Sequence, residues 1–123
     1  MTIRTKDDLT TEECLERLRA ASLARVLLSI RCLPAAVPTE LVVVINNELV
    51  LATDQADVWR AGDQREVFTV QVDGRTNDGH VWSVTAVGIG APVDPTSPLG
   101  RAAGHRGVHL VAIAAPLITG RRH

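Results

Sequence analysis

The stretch RVLLSIRCLPAAVPTELVVVINNELVLATDQADVWRAGDQREVFTVQVD, residues 25–73, decides the fold. It opens with Val26, Leu27, Leu28 and Ile30, which read as a buried strand over residues 25–31. Leu33-Pro34 marks a turn, because proline donates to neither a helix nor a strand ladder. A second strand starts at Ala35 and ends in the aliphatic, mostly β-branched run from Leu41 to Ile45. Asn46-Asn47 follows, a pair that tolerates the positive φ angles of a two-residue hairpin, so residues 49–53 are the antiparallel partner. Residues 54–62 read as a short helix with Thr53 or Asp54 as its cap and Gly62 as its stop. Residues 67–73 alternate between two faces, a fourth strand that ends at Asp73-Gly74.

Working outward, residues 9–22 carry a helix start in which Thr10 caps the first turn and Glu13 reaches back to it. Leu9 and Cys14 stand at the staple positions. Cys14, Leu15, Leu18 and Ala21 make one apolar stripe and leave Glu12, Glu16, Arg17 and Arg19 to water. On the other side, residues 75–80 are polar, and residues 81–93 read as a long strand in which Gly88 and Gly90 suggest a bend or bulge. Residues 94–107, with Pro95, Pro98, Gly100, Gly104 and Gly107, read as a surface loop with at most one helical turn. Residues 108–117 are the last strand. The expected fold is mainly β (α+β): a six-stranded antiparallel barrel, with an N-terminal helix and a short helix between strands three and four. Closure is preferred to a sandwich because it removes exposed strand edges.

Bulk properties narrow the function. At 123 residues and 46% hydrophobic content, residues 1–123 suit a single domain. Thirteen Lys plus Arg against fourteen Asp plus Glu give a net charge of -1, which excludes the broad basic face of a nucleic-acid binder. Trp59, Phe68 and Trp82 are the only aromatic side chains, too few for a base-stacking platform. No apolar run reaches the roughly 20 residues of a membrane span, and residues 1–8 are charged where a signal peptide is apolar, so a cytoplasmic protein without membrane contact is expected. Cys14 and Cys32 stand apart, with no metal-ligand spacing, and read as small buried hydrophobes. His80, His105, His109 and His123 are scattered and read as unrelated to a metal. Ser29 and Ser83 lie inside strand patterns, not on exposed elbows, so no hydrolase triad is expected.

The order of elements, together with Leu9-Thr-Thr-Glu-Glu-Cys-Leu15, Ala24-Arg-Val26, Val81-Trp-Ser-Val84 with Gly88, and the ending Ile118-Thr-Gly-Arg-Arg-His123, resembles the split-barrel family related to pyridoxamine 5'-phosphate oxidase, in its flavin-nucleotide-binding, nitroimidazole-resistance-like branch. The resemblance spans residues 9–123. It implies a homodimer that holds FMN or a deazaflavin in clefts built from both chains, and an oxidoreductase that acts on a small molecule. Thr53, Gln55, Arg60, Trp82 and Ser83 are the cofactor-binding residues it implies; it assigns no catalytic residue.

Two positions depart from the family pattern. Where a Gly-Ser-Lys or Ser-Arg-Lys element is expected after the phosphate-binding Thr, this chain has Ala56-Asp57-Val58. A charge-assisted hydrogen bond to phosphate contributes about 1.5–3 kcal/mol, and a carboxylate in its place adds repulsion of about 1–4 kcal/mol. Pro38-Thr-Glu-Leu41 likewise stands where many relatives have a Pro-Val-Asn-Tyr-like segment beside the flavin ring. Arg60 can pair with Asp57 or replace the lost cation, and Arg121 or Arg122 can arrive from a partner chain. A second reading therefore stays open, a split-barrel dimer without cofactor that serves as a binding or interaction module. Each named residue also has a plain structural reading: Thr53 as a cap, Trp59 and Trp82 as core plugs, and Arg121-Arg122 as a solvated tail.

Overall fold

The computed structural model describes residues 7–104 and 107–123. His105 and most of the charged N-terminal stretch, residues 1–6, lie outside the described residues. The elements are α1 (Thr11–Ala20), β1 (Leu23–Ile30), β2 (Leu33–Ile45), β3 (Glu48–Thr53), α2 (Ala56–Asp63), β4 (Val67–Arg75), β5 (Val81–Pro92), α3 (Pro98–Ala103), β6 (His109–Ala114) and β7 (Leu117–Arg122). The strands run in the order β4-β1-β2-β3-β6-β5-β7, and a further β4–β5 pairing joins the ends, so six strands close into an antiparallel barrel with β7 outside it.

Alternation along the strands fills the barrel. Val26 and Leu28 from β1, Leu49 and Leu51 from β3, Phe68 and Val70 from β4, Val84 from β5 and Ile113 from β6 point inward and share one core. Fully burying a side chain of this kind contributes about 1.5–3 kcal/mol. A smaller second cluster lies on the outer face, where Val43, Val50, Ala52, Leu110 and Ala112 meet Ala103 and Leu99 of α3. The expected loop of residues 94–107 thus carries a helix, capped by the Ser97 hydroxyl, which covers one side of the barrel.

Several local expectations change. The β1–β2 turn is Arg31-Cys32, both at positive φ, and Leu33 and Pro34 already pair with Ile30 and Ser29. Cys32 is therefore exposed at a hairpin tip, while Cys14 is buried as expected. No bulge is seen at Gly88 or Gly90; the register shift lies between Leu41 and Val43 in β2. The two glycines instead make room where β5 passes from pairing with β7 to pairing with β6. A Cβ on Gly88 would come 2.7 Å from Ile113 Cγ2, and one on Gly90 would come 2.5 Å from Phe68 Cε1.

The expected last strand is two. Ala115, at φ 48, and the buried Pro116 separate β6 from β7. The Ile118-Thr-Gly-Arg-Arg ending is then not a loose tail but a strand along β5, from Trp82↔Arg122 to Val87↔Leu117. Helix α1 is tied to it: Leu9 N–H donates to the Gly120 carbonyl at 2.9 Å and Arg122 N–H to the Asp7 carbonyl at 2.8 Å. The capping box at Thr10 and Glu13 is present in both directions.

Candidate functional site

Thr53 ends β3, pairs with His109 at the start of β6, and is 6% exposed. Its hydroxyl oxygen accepts from the Gln55 N–H at 3.0 Å, so it braces the turn into α2. The helix cap itself is Gln55, which makes no side-chain cap bond, and neither Thr53 nor Asp54 fills that position. Gly62 does not stop α2 either; it is buried within the helix against Val111, and the left-handed residue that follows is Arg65.

On α2, Asp57 and Arg60 face solvent, whereas Val58 is fully buried in the main core. A basic residue at position 58 would point into the barrel core. The cation this helix offers at its surface is Arg60. Its guanidinium lies 5.2 Å from the centre of the Trp59 ring, and Trp59 stacks on His109 with centroids 4.2 Å apart and planes 18° apart. Trp59 is half-buried, packed against the core on one side and against this stack on the other. Thr53, Gln55, Trp59, Arg60 and His109 thus form one corner. His109 belongs to it only through the β3–β6 register, which no local pattern encodes.

Trp82 and Ser83 lie elsewhere. Trp82 pairs with Gly74 of β4 and Arg122 of β7, and its indole is buried beneath Arg17 of α1, whose guanidinium sits 4.6 Å above the ring. Ser83 is half-buried on the outer face, 2.9 Å from His123 Nε2. The run from Trp82 to Pro92 spans about 33 Å of extended strand at ~3.3 Å per residue. The register Pro92↔Val111 puts His109 and Thr53 beyond its far end. One chain therefore does not bring the five residues into one cleft. Arg122 pairs within its own chain, 3.8 Å from Glu13, and Arg121 remains exposed.

Among the described residues, several surface grooves stand out, four of them as follows. One of about 500 Å³ is lined by Leu27, Ser29, Pro34, Ala36 and Val67. Another, of about 400 Å³, lies between the end of α1 and the sheet and is lined by Arg17, Ala21, Leu23, Val72, Asp73 and Trp82. Next to it are recesses of about 270 Å³, beside Arg25 and Gln71, and about 300 Å³, beside Glu13 and Glu16. None of these four is lined by Thr53, Gln55 or Arg60.

The carboxyl groups with depressed pKa are local devices and lie outside these residues. Glu13 is lowered chiefly by the Thr10 backbone N–H, Asp78 by the Thr76 hydroxyl, and Asp94 by the Thr96 backbone N–H. Among the described residues no helix is long and apolar enough to cross a membrane.

A closed six-stranded antiparallel barrel with an outer seventh strand on the same edge of β5 as β6 is a distinctive topology, and solved structures share it. The chain superposes on an FAD-binding protein of Mycobacterium smegmatis with a TM-score of 0.75 and 21% identity, covering 96% of this chain and 98% of that one. The fold is that of the pyridoxamine 5'-phosphate oxidase-like split barrels. A protein of Corynebacterium glutamicum, named as a candidate pyridoxamine 5'-phosphate oxidase, matches the split barrel at TM-score 0.76 and 22% identity, over 95% of this chain and 97% of that one. A candidate 5-nitroimidazole antibiotic resistance protein of Bacteroides thetaiotaomicron matches at 0.70 and 12%, over 94% and 86%. By sequence alone, the chain matches no family profile and no curated protein.

Proposed function

We propose that the protein binds a flavin nucleotide as a homodimer, with Thr53, Gln55 and Arg60 of one chain at the phosphate and Trp82 and Ser83 of the other chain nearer the ring. The observation that carries this reading is the end-to-end match to an FAD-binding split barrel, combined with a surface cation, Arg60, at the β3–α2 corner. The separation of the two residue sets within one chain supports a second copy, since a single nucleotide reaches both only across two barrels. FMN, a deazaflavin and FAD are the cofactors to compare. When bound, such a group supplies the redox chemistry, and the protein is then an oxidoreductase that acts on a small molecule.

The residues present fit a phosphate in part. Thr53 Oγ1 accepts from the Gln55 amide and keeps its own O–H to donate; Gln55 is exposed and Arg60 brings one positive charge. Asp57 stands on the same exposed helix surface and opposes an anion. That carboxylate favours the second reading, a split-barrel dimer without cofactor that binds some other small molecule.

Titrating the purified protein into FMN, FAD and a deazaflavin while following flavin fluorescence and absorbance separates the two readings. The flavin reading expects saturable binding of at least one, weakened about tenfold or more by Arg60→Gln and strengthened by Asp57→Ser. If neither the wild type nor Asp57→Ser binds any of the three, the flavin reading is lost and the second reading stands.

A further inference from the structure

Among the described residues, one buried side-chain polar atom lacks a hydrogen-bond partner, and it is Nε1 of Trp82. A buried N–H without an acceptor costs about 1–3 kcal/mol, which is why such donors are usually satisfied in native proteins. This one belongs to a side chain that is 8% exposed and forms part of the wall of the 400 Å³ groove at the end of α1. The rest of the lining is Ala20, Ala21, Leu23 and Val72, the small polar Ser22, and two charged residues, Arg17 and Asp73.

The two charges differ in availability. Asp73 is engaged by Arg25 in a close ion pair. Arg17 has no carboxylate within ion-pair distance among the described residues, and its half-exposed side chain rests on the indole face. The Arg17 charge acts weakly on Glu13, and that carboxylate is held by the Thr10 backbone and Arg122. Glu16 is exposed and lines the neighbouring recess, not this groove. The groove therefore combines a largely apolar lining, an indole donor without acceptor, and a guanidinium with no ion-pair partner to hold it from an incoming anion.

We propose that this groove binds a small apolar molecule bearing one carboxylate. Its body lies against Ala21, Leu23, Val72 and the indole. Arg17 leaves the ring face to pair with the carboxylate, and the Trp82 N–H, which lies in the ring plane beside Gly74, donates to a carboxylate oxygen once the indole edge swings out from the wall. Arg25 keeps Asp73 neutralised, so the anion meets no free negative charge along that wall. The groove is complete within one chain; it shares Trp82 with the proposed flavin site, and the proposal requires no flavin.

Two-dimensional amide NMR on the full chain tests this, because Trp59 and Trp82 give the only two indole N–H signals and Trp59→Phe assigns them. Benzoate is the probe and benzamide its neutral counterpart. The expected result is a saturable downfield movement of the Trp82 indole proton with benzoate at millimolar concentration, a much weaker response to benzamide, and an affinity about tenfold lower in Arg17→Gln. A folded protein whose indole signal ignores benzoate, or answers benzamide equally, overturns the proposal. So does Arg17→Gln binding benzoate as tightly as wild type. Because no flavin is present, a negative result here leaves the flavin titration untouched, and the reverse also holds.

Discussion

Gly74 shows how a single missing Cβ positions the Trp82 indole. A Cβ there would come 2.7 Å from Cζ2 of Trp82 and 3.2 Å from Nε1 of a ring that lies between Arg17 and the core. Overpacking of this kind costs about 1–3 kcal/mol, so Gly74→Ala lowers unfolding stability by that amount in urea titrations; an effect below about 0.5 kcal/mol would mean the ring can move aside. Val58 makes the converse point. It is fully buried in the core, so Val58→Lys, which restores a basic residue at the family position, buries a charge and unfolds the chain at room temperature, as circular dichroism would record. Sequence alone placed Val58 among phosphate-site positions because linear spacing does not say which face of an eight-residue helix turns inward. Cys32 is the same lesson at a turn, where the hairpin tip lies two residues before the proline expected to mark it.

At the scale of elements, features encoded by near neighbours in the sequence are those the structure keeps. The capping box, the stripe of α1 and the Asn46-Asn47 hairpin each depend on residues within a few positions of one another, and all three are present. Elements defined by distant partners were harder to see. The ending Ile118 to Arg122 has little strand character of its own and becomes β7 because β5 has an open edge beside it. His109 entered the candidate corner for the same reason. Helix α1 offers a graded test. Thr10→Ala removes one half of the capping box and lowers stability by about 1 kcal/mol at neutral pH. Glu13 is depressed below its ordinary 4.5 by the Thr10 backbone bond first, so its contribution is fully present above that value and is lost as the pH falls through the lower folded value. The melting temperature of Glu13→Gln should therefore lie below that of wild type at pH 7 and converge with it under acid conditions. A constant gap across that range would remove the carboxylate from the account.

For the whole molecule, the barrel's outer surface is unevenly covered. Helix α3 screens the β2–β3–β6 side, while Leu27, Val67, Ile89 and Leu117 remain exposed along β1, β4, β5 and β7, the last at 71%. An exposed apolar row of this kind is where a second copy would be expected to dock. Replacing Val67 and Ile89, which face each other across β4 and β5, with Lys should then shift the proposed homodimer to monomer in sedimentation equilibrium while leaving the fold intact. Unchanged mass would move the interface elsewhere.

The central claim is that one nucleotide is held by the Thr53 corner of one barrel and the Ser83 end of another. Mixing two disabled chains tests it most directly: Arg60→Glu and Ser83→Glu proteins are unfolded, refolded together, and titrated with whichever flavin the wild type binds. Random pairing makes half the dimers mixed, each with one intact site, so the account predicts that flavin binding returns to about a quarter of all sites, although each variant alone binds none. A co-refolded mixture that contains mixed dimers yet binds no more flavin than the separate variants would contradict it.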